Sequence, residues 1–188
     1  MDRFLRSRSA LWIAFAWGFA EATFFFLVPD VWLTLLACRS LRSALRGTVA
    51  ALCGALIGGA LMYALGRMAP DAGRYLLDCV PGINQPLLAS AQSQIDNRGL
   101  LAVMVGPLLG IPYKIYAVDW GARAGSLLGF LLVSIPARCA RFLATALAAS
   151  ALARLLVPWT SRRIVTELSL YALCWIVFYS FYFRKFGW

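Results

Sequence analysis

Charged residues cut the chain into a few long apolar runs, and the spacing of the cuts predicts helices. Ser9 to Ala20 carries no charge, Glu21 intervenes, Ala22 to Pro29 is apolar, Asp30 intervenes, and Val31 to Cys38 closes the stretch. Arg3, Arg6 and Arg8 precede it; Arg39, Arg42 and Arg46 follow it. Each arm is shorter than the roughly 20 residues of a straight membrane span, and Pro29 breaks the helix near the middle. Basic residues at both ends keep both ends on one side of a membrane. The pattern predicts a re-entrant hairpin, whose backbone survives at membrane depth only under a cover of protein or a water-filled cavity.

Gly47 to Gly66 is an uninterrupted apolar run of spanning length, and Arg67 ends it. Its Gly54-x-x-x-Gly58 and Ala55-x-x-x-Gly59 faces let another helix approach closely, which reads as plain helix packing. Met68 to Arg98 is mixed and punctuated by Pro70, Pro81-Gly82 and Pro86, and predicts short amphipathic interfacial helices. Gly99 to Trp120 is apolar but broken by Gly106-Pro107, Gly110 and Pro112, with Lys114 and Asp119 near its end, and predicts a second re-entrant hairpin. Ala124 to Ala153 predicts a long helix with Pro136, Arg138 and Arg141 near its centre. Leu168 to Phe183 is aromatic-rich, ends at Arg184 and Lys185, and predicts a final span.

The expected fold is therefore all-α: a polytopic membrane protein, with an inverted repeat of hairpin plus transmembrane helix and an additional C-terminal transmembrane helix. A single integral membrane domain covers 1–188, divided into 1–67, a connector at 68–98, a second unit at 99–157, and the last helix at 164–185. Paired, Gly/Pro-interrupted apolar segments in matching positions of two halves point to a transporter site. The basic start followed by an apolar run resembles a signal peptide, but Glu21 interrupts it without a clean cleavage site, so it reads as a retained membrane segment. Arginine placement is compatible with this topology. Arg154, Arg162 and Arg163 join the six basic residues flanking the first hairpin on the expected inner side; Arg67, Arg74, Arg98, Arg123, Arg184 and Lys185 fall outside.

Composition sharpens this. The chain has 188 residues, is 62% hydrophobic and carries a formal charge of +10; its mean hydropathy is +0.75. Apolar content on this scale turns the basic excess away from nucleic acid and toward anionic lipid headgroups. There is no histidine. Imidazole metal sites, Ser-His and Cys-His nucleophiles, and histidine-dependent membrane phosphatases are thereby excluded, and neither a cofactor nor an enzymatic activity is expected. The five cysteines (Cys38, Cys53, Cys79, Cys139, Cys174) have no C-x-x-C spacing and read as small buried hydrophobes. The tryptophans, Trp12, Trp17, Trp32, Trp120, Trp159, Trp175 and Trp188, mark interfaces or pack helices.

Against that background Glu21, Asp30, Lys114, Arg138 and Arg141 stand out. Each costs roughly 2.5–3.5 kcal/mol at mid-bilayer, on the order of 12–17 kcal/mol together if unpaired, which rivals the stability of a whole domain. They must be paired or wet, and gathered around a polar cavity. Glu21 and Asp30 are candidate proton-coupling carboxylates. Lys114, Arg138 and Arg141 are candidates to hold a phosphate, which guanidinium suits by its planar paired donors. The structural alternatives are static ion pairs across the bundle, an N-terminal helix cap for Asp30, and snorkelling for a base near a helix end. Arg138 and Arg141 are three apart and share a helix face; Asp119 and Arg123 are four apart and read as a surface pair.

These segments resemble the DedA/VTT (SNARE-associated-like) membrane-protein superfamily, in particular its smaller YqaA-like branch. The likeness runs through about residues 17–150. It rests on Glu21 with Pro29-Asp30, on Gly54-x-x-x-Gly58 with Tyr63-x-x-Gly66-Arg67, on Gly106-Pro107 with Gly110-Ile111-Pro112-Tyr113-Lys114, and on Gly121 with Arg138-x-x-Arg141-Phe142. Larger members place two arginines in the second hairpin, where this chain has only Lys114; Arg138 and Arg141 are candidates to supply that charge from the next helix. The resemblance implies a multi-pass protein of the bacterial inner (cytoplasmic) membrane with two opposed re-entrant hairpins. It implies translocation of a phosphate-bearing lipid, undecaprenyl phosphate or a phospholipid, with proton coupling and a role in envelope homeostasis. Expected partners are membrane lipids, an anionic headgroup or lipid-carrier phosphate, and protons, with a homo-oligomer as a further candidate and no nucleic acid. The alternatives are a proton-coupled small-solute or ion transporter and a passive lipid scramblase. A non-transporting scaffold would leave the five charges unexplained.

Overall fold

The computed structural model describes residues 2–5, 7–156 and 163–186. Arg6, Trp159, Arg162, Trp188 and the expected boundary at 157 lie outside the described residues, as do the side chains of Arg3, Arg163 and Lys185. The described residues form helices and no strand: α1 (Asp2–Leu5), α2 (Arg8–Thr23), α3 (Asp30–Arg39), α4 (Leu41–Met68), α5 (Pro70–Asp78), α6 (Gln85–Arg98), α7 (Leu101–Val105), a 3₁₀ turn (Gly106–Leu109), α8 (Tyr113–Ala122), α9 (Leu127–Leu156) and α10 (Arg163–Phe186). Among the described residues, α4 and α9 are long and apolar enough to cross a membrane.

Local chemistry sets the boundaries. Ser7 caps α2, its side chain accepting from the Ala10 amide; Ser40 does the same for α4 toward Ser43, and Asn84 for α6 toward Leu87. Pro70 occupies the first turn of α5, where its missing N–H costs nothing. Gly99 (φ 54°) closes α6 and Gly110 (φ 89°) closes the 3₁₀ turn, both in the positive-φ region that favours glycine. α4 outruns its apolar core at both ends, because Arg42, Arg46 and Arg67 continue the helix while their heads reach out.

α4 is the axis on which both interrupted pairs pack. Along its first part it meets α2 at van der Waals limits. A Cβ added to Gly54 would sit on the Phe15 carbonyl oxygen, and one added to Gly18 on that of Ala51. Along its second part it meets α8 in the same way, with Gly66 against the Val118 carbonyl and Gly121 against that of Tyr63. The Gly54/Gly58 face is thus filled by α2 of the same chain and is not open to a second copy.

Two apolar clusters result. One gathers α5 to α8 with Ala55, Met62 and Phe130; the other gathers α1, α3 and the first part of α4 with Phe142 and Ala146. α9 runs through both, and Arg138 and Arg141 fall between Phe130 and Phe142. The cysteines depart from expectation: Cys53, Cys79 and Cys174 are exposed, and Cys38 and Cys139 only partly buried.

Candidate functional site

The first interruption, residues 24–29, leaves backbone groups without helical partners, and side chains from three elements supply them. Trp17 Nε1 donates to the Leu27 carbonyl (3.1 Å), Lys114 Nζ to the Phe25 carbonyl (2.7 Å), and the Val28 amide donates to Tyr179 Oη (2.9 Å). This is the cover that non-helical backbone requires in an apolar surrounding. Glu21 lies in the last turn of α2 and Asp30 opens α3, so the break carries one carboxylate on each lip.

α9 presents the matching cations on one face. Arg138 Nη2 donates to Glu21 Oε2 at 2.9 Å, and Arg141 Nη2 lies 3.0 Å from Asp30 Oδ2. One turn on, Thr145 Oγ1 donates to Asp30 Oδ1 at 2.7 Å. Asp30 therefore does not cap its own helix, whose N-cap Pro29 makes no side-chain cap bond; the stronger claim on its carboxylate comes from a guanidinium and a hydroxyl across the bundle. Below Arg138, the Tyr113 ring lies 3.9 Å from the guanidinium carbon, and Tyr113 Oη donates to Ser134 Oγ at 3.0 Å.

The structure thus brings all five charges together. Glu21 (4% exposed), Asp30 (3%), Lys114 (1%) and Arg138 (2%) are buried, and the Arg141 side chain is 19% exposed. Ion pairs this deep are held only where geometry offsets desolvation. The pairing is incomplete on the cationic side. Arg138 Nε and Nη1 and Arg141 Nε have no hydrogen-bond partner, and the Arg141 Nη2 contact is a close ion pair without an aligned hydrogen bond. Glu21, Asp30, Lys114 and Arg141 line a mostly apolar cavity of about 310 Å³ between the two interruptions, with Phe26 and Val28 from the first and Gly110 and Pro112 from the second. Arg138 stands behind Glu21 and does not line it.

Thr145, Ser134 and Tyr179 are not picked out by the sequence, and Tyr113 enters it only within the Gly110-Ile111-Pro112-Tyr113-Lys114 motif. Ser134 and Thr145 were detectable in principle, since positions 134, 138, 141 and 145 share one helical stripe. The expected Asp119–Arg123 pair forms at 2.7 Å, and Arg123 also pairs with Asp96. Hydrogen bonding to Asp96 first, and then to Asp119, holds the Arg123 pKa above its ordinary value.

No family model and no solved structure matches the chain. It is 30% identical over 143 residues to an uncharacterized protein of Haemophilus influenzae, an alignment spanning 73% of this chain and 70% of that protein. The chain belongs to that protein's family.

Proposed function

We propose that the chain is a multi-pass transporter of the bacterial inner membrane, of the DedA/VTT type and its YqaA-like branch, that translocates a phosphate-bearing lipid. In this reading α2–α3 and α7–α8 are opposed re-entrant hairpins, α4, α9 and α10 span the bilayer, and the second hairpin-plus-span unit is inverted relative to the first. Undecaprenyl phosphate and phospholipids both fit the class. No step of this reading calls for an enzymatic reaction or a cofactor.

The observation that carries the reading is the charge balance of the buried cluster. Among the described residues, the carboxylates beside Lys114, Arg138 and Arg141 are Glu21 and Asp30, so this cluster carries one positive charge in excess when all five are ionised. An uncompensated charge at membrane depth is costly. A phosphate supplies both the missing negative charge and acceptor oxygens for the idle N–H of Arg141. In this reading proton coupling runs through the two carboxylates that hold these arginines, Glu21 and Asp30. The apolar lining of the cavity, and its border on the half-exposed Phe178 of α10, favour a ligand with tails over a small hydrophilic solute.

The test is a headgroup-accessibility assay on vesicles reconstituted with the purified chain, run across fluorescent phospholipids and a polyprenyl phosphate. Accelerated exchange of at least one of them relative to protein-free vesicles is expected. No acceleration for any, with uptake of inorganic phosphate instead, would overturn the lipid reading in favour of a solute transporter.

A further inference from the structure

α10 meets the bundle along one narrow stripe. Its Leu173, Ile176, Val177, Phe178 and Phe181 side chains are exposed, and its backbone approaches α3 most closely. Tyr171, Trp175 and Tyr179 fall four apart on one helix face, and each hydrogen-bonds to the segment 28–34. Tyr171 Oη donates to the Val31 carbonyl (2.7 Å), Trp175 Nε1 donates to Thr34 Oγ1 (3.1 Å), and Tyr179 Oη accepts from the Val28 amide (2.9 Å). Thr34 Oγ1 in turn donates to the Asp30 carbonyl at 2.7 Å, so the stripe sits on the turn that carries the Asp30 carboxylate. Trp175, Phe178, Tyr179 and Tyr182 form one wall of the cavity.

We propose that α10 is a lateral door to the cavity, latched by the Tyr171, Trp175 and Tyr179 hydrogen bonds and opening toward the membrane when they part. This rests on the lipid-translocation reading and adds the route by which the lipid enters. α2 and α8 are locked to α4 by glycines set against backbone carbonyls, so the wall free to move is α10. In lipid, apolar side chains gain no hydrophobic energy by leaving acyl tails for protein, and helix association depends on packing and polar contacts. The outward side chains of α10 meet tails whether the helix is docked or displaced; the three hydrogen bonds are made only when it is docked. Each interhelical bond of this kind shifts an equilibrium by only about three-fold. Three together favour the closed arrangement by about thirty-fold, which leaves the displaced state within thermal reach. Displacing α10 takes Phe178 and Tyr182 out of the wall and joins the space beside Lys114 and Arg141 to the tails outside.

The experiment locks the door and then loosens it, in the full chain with its five cysteines replaced by alanine. Thr34→Cys/Trp175→Cys places thiols at one latch contact, and a short bifunctional methanethiosulfonate joins them. In reconstituted vesicles the cross-link should slow exchange of fluorescent phosphatidylglycerol at least about ten-fold, and dithiothreitol should restore it. Exchange in the cross-linked protein at the rate seen before cross-linking overturns the inference and leaves the lipid reading standing. The second measurement does not depend on transport. Spin labels at Leu61→Cys on α4 and Ile176→Cys on α10, both exposed, report the distance between the two helices. Tyr171→Phe/Tyr179→Phe keeps the rings and deletes two of the three bonds, so the population with α10 displaced should grow about ten-fold. An unchanged distance distribution overturns the inference. If that population grows while no form of the protein exchanges lipid, the door stands and the lipid reading falls.

Discussion

Lys114 Nζ, in the first turn of α8, donates a 2.7 Å hydrogen bond to the Phe25 carbonyl in the gap between α2 and α3. One interrupted segment thereby stitches down the other. Lys114 is buried to 1% exposure and makes no ion pair within 4 Å of a carboxylate among the described residues, so its charge belongs to the cavity while its hydrogen bond belongs to the break. Replacing it with methionine strands the Phe25 carbonyl, at a cost of about 1–3 kcal/mol. Lys114→Met should lower the melting temperature of the purified protein, and protease access to residues 24–29 should rise with it.

The Glu21–Arg138 pair makes a different prediction. Removing either partner leaves a buried charge alone, which costs about 3–5 kcal/mol, whereas replacing both with apolar side chains is often neutral. Glu21→Met and Arg138→Met should each be strongly destabilising, and the double variant should recover much of the loss. A thermal-unfolding double-mutant cycle reads the coupling directly. The double variant should nevertheless fail to translocate lipid.

Close packing of α2 on α4 separates two kinds of glycine. A Cβ at Gly54 meets the Phe15 backbone, which cannot step aside, while one at Gly99 meets no atom within 4 Å and only a positive φ. Gly99→Ala should cost about 1–3 kcal/mol for the backbone alone, because φ 54° with ψ −135° is a conformation that side chains with a Cβ rarely adopt. Gly54→Ala should cost more, because it must also push two helices apart. Melting temperatures of the two variants should fall in that order.

Much of the site was legible because charge is so conspicuous in an apolar chain. Glu21, Asp30, Lys114, Arg138 and Arg141 needed no alignment to be picked out, and all five meet. What the sequence could not reveal was partnership. Asp30 beside Pro29 has the local signature of a cap, and only the approach of α9 sends its carboxylate to Arg141 and Thr145. Tyr179 is one of many aromatics in α10, and its bond to the Val28 amide depends wholly on where α10 lies. Helix ends were misjudged for a related reason. Hydropathy stops at an arginine, but the backbone of α4 runs on through Arg42 and Arg46.

The central claim is that the uncompensated cation beside the cavity receives a lipid phosphate, and its most direct test compares two arginines. Arg141 lines the cavity; Arg123 sits outside it, paired with Asp96 and Asp119. In vesicles reconstituted to equal protein content with folded, monodisperse samples, Arg141→Gln should reduce phosphate-lipid exchange at least about ten-fold, the equivalent of losing about 1.4 kcal/mol at the rate-limiting step. Arg123→Gln should leave exchange unchanged. Exchange that persists at the wild-type rate in Arg141→Gln would contradict the account.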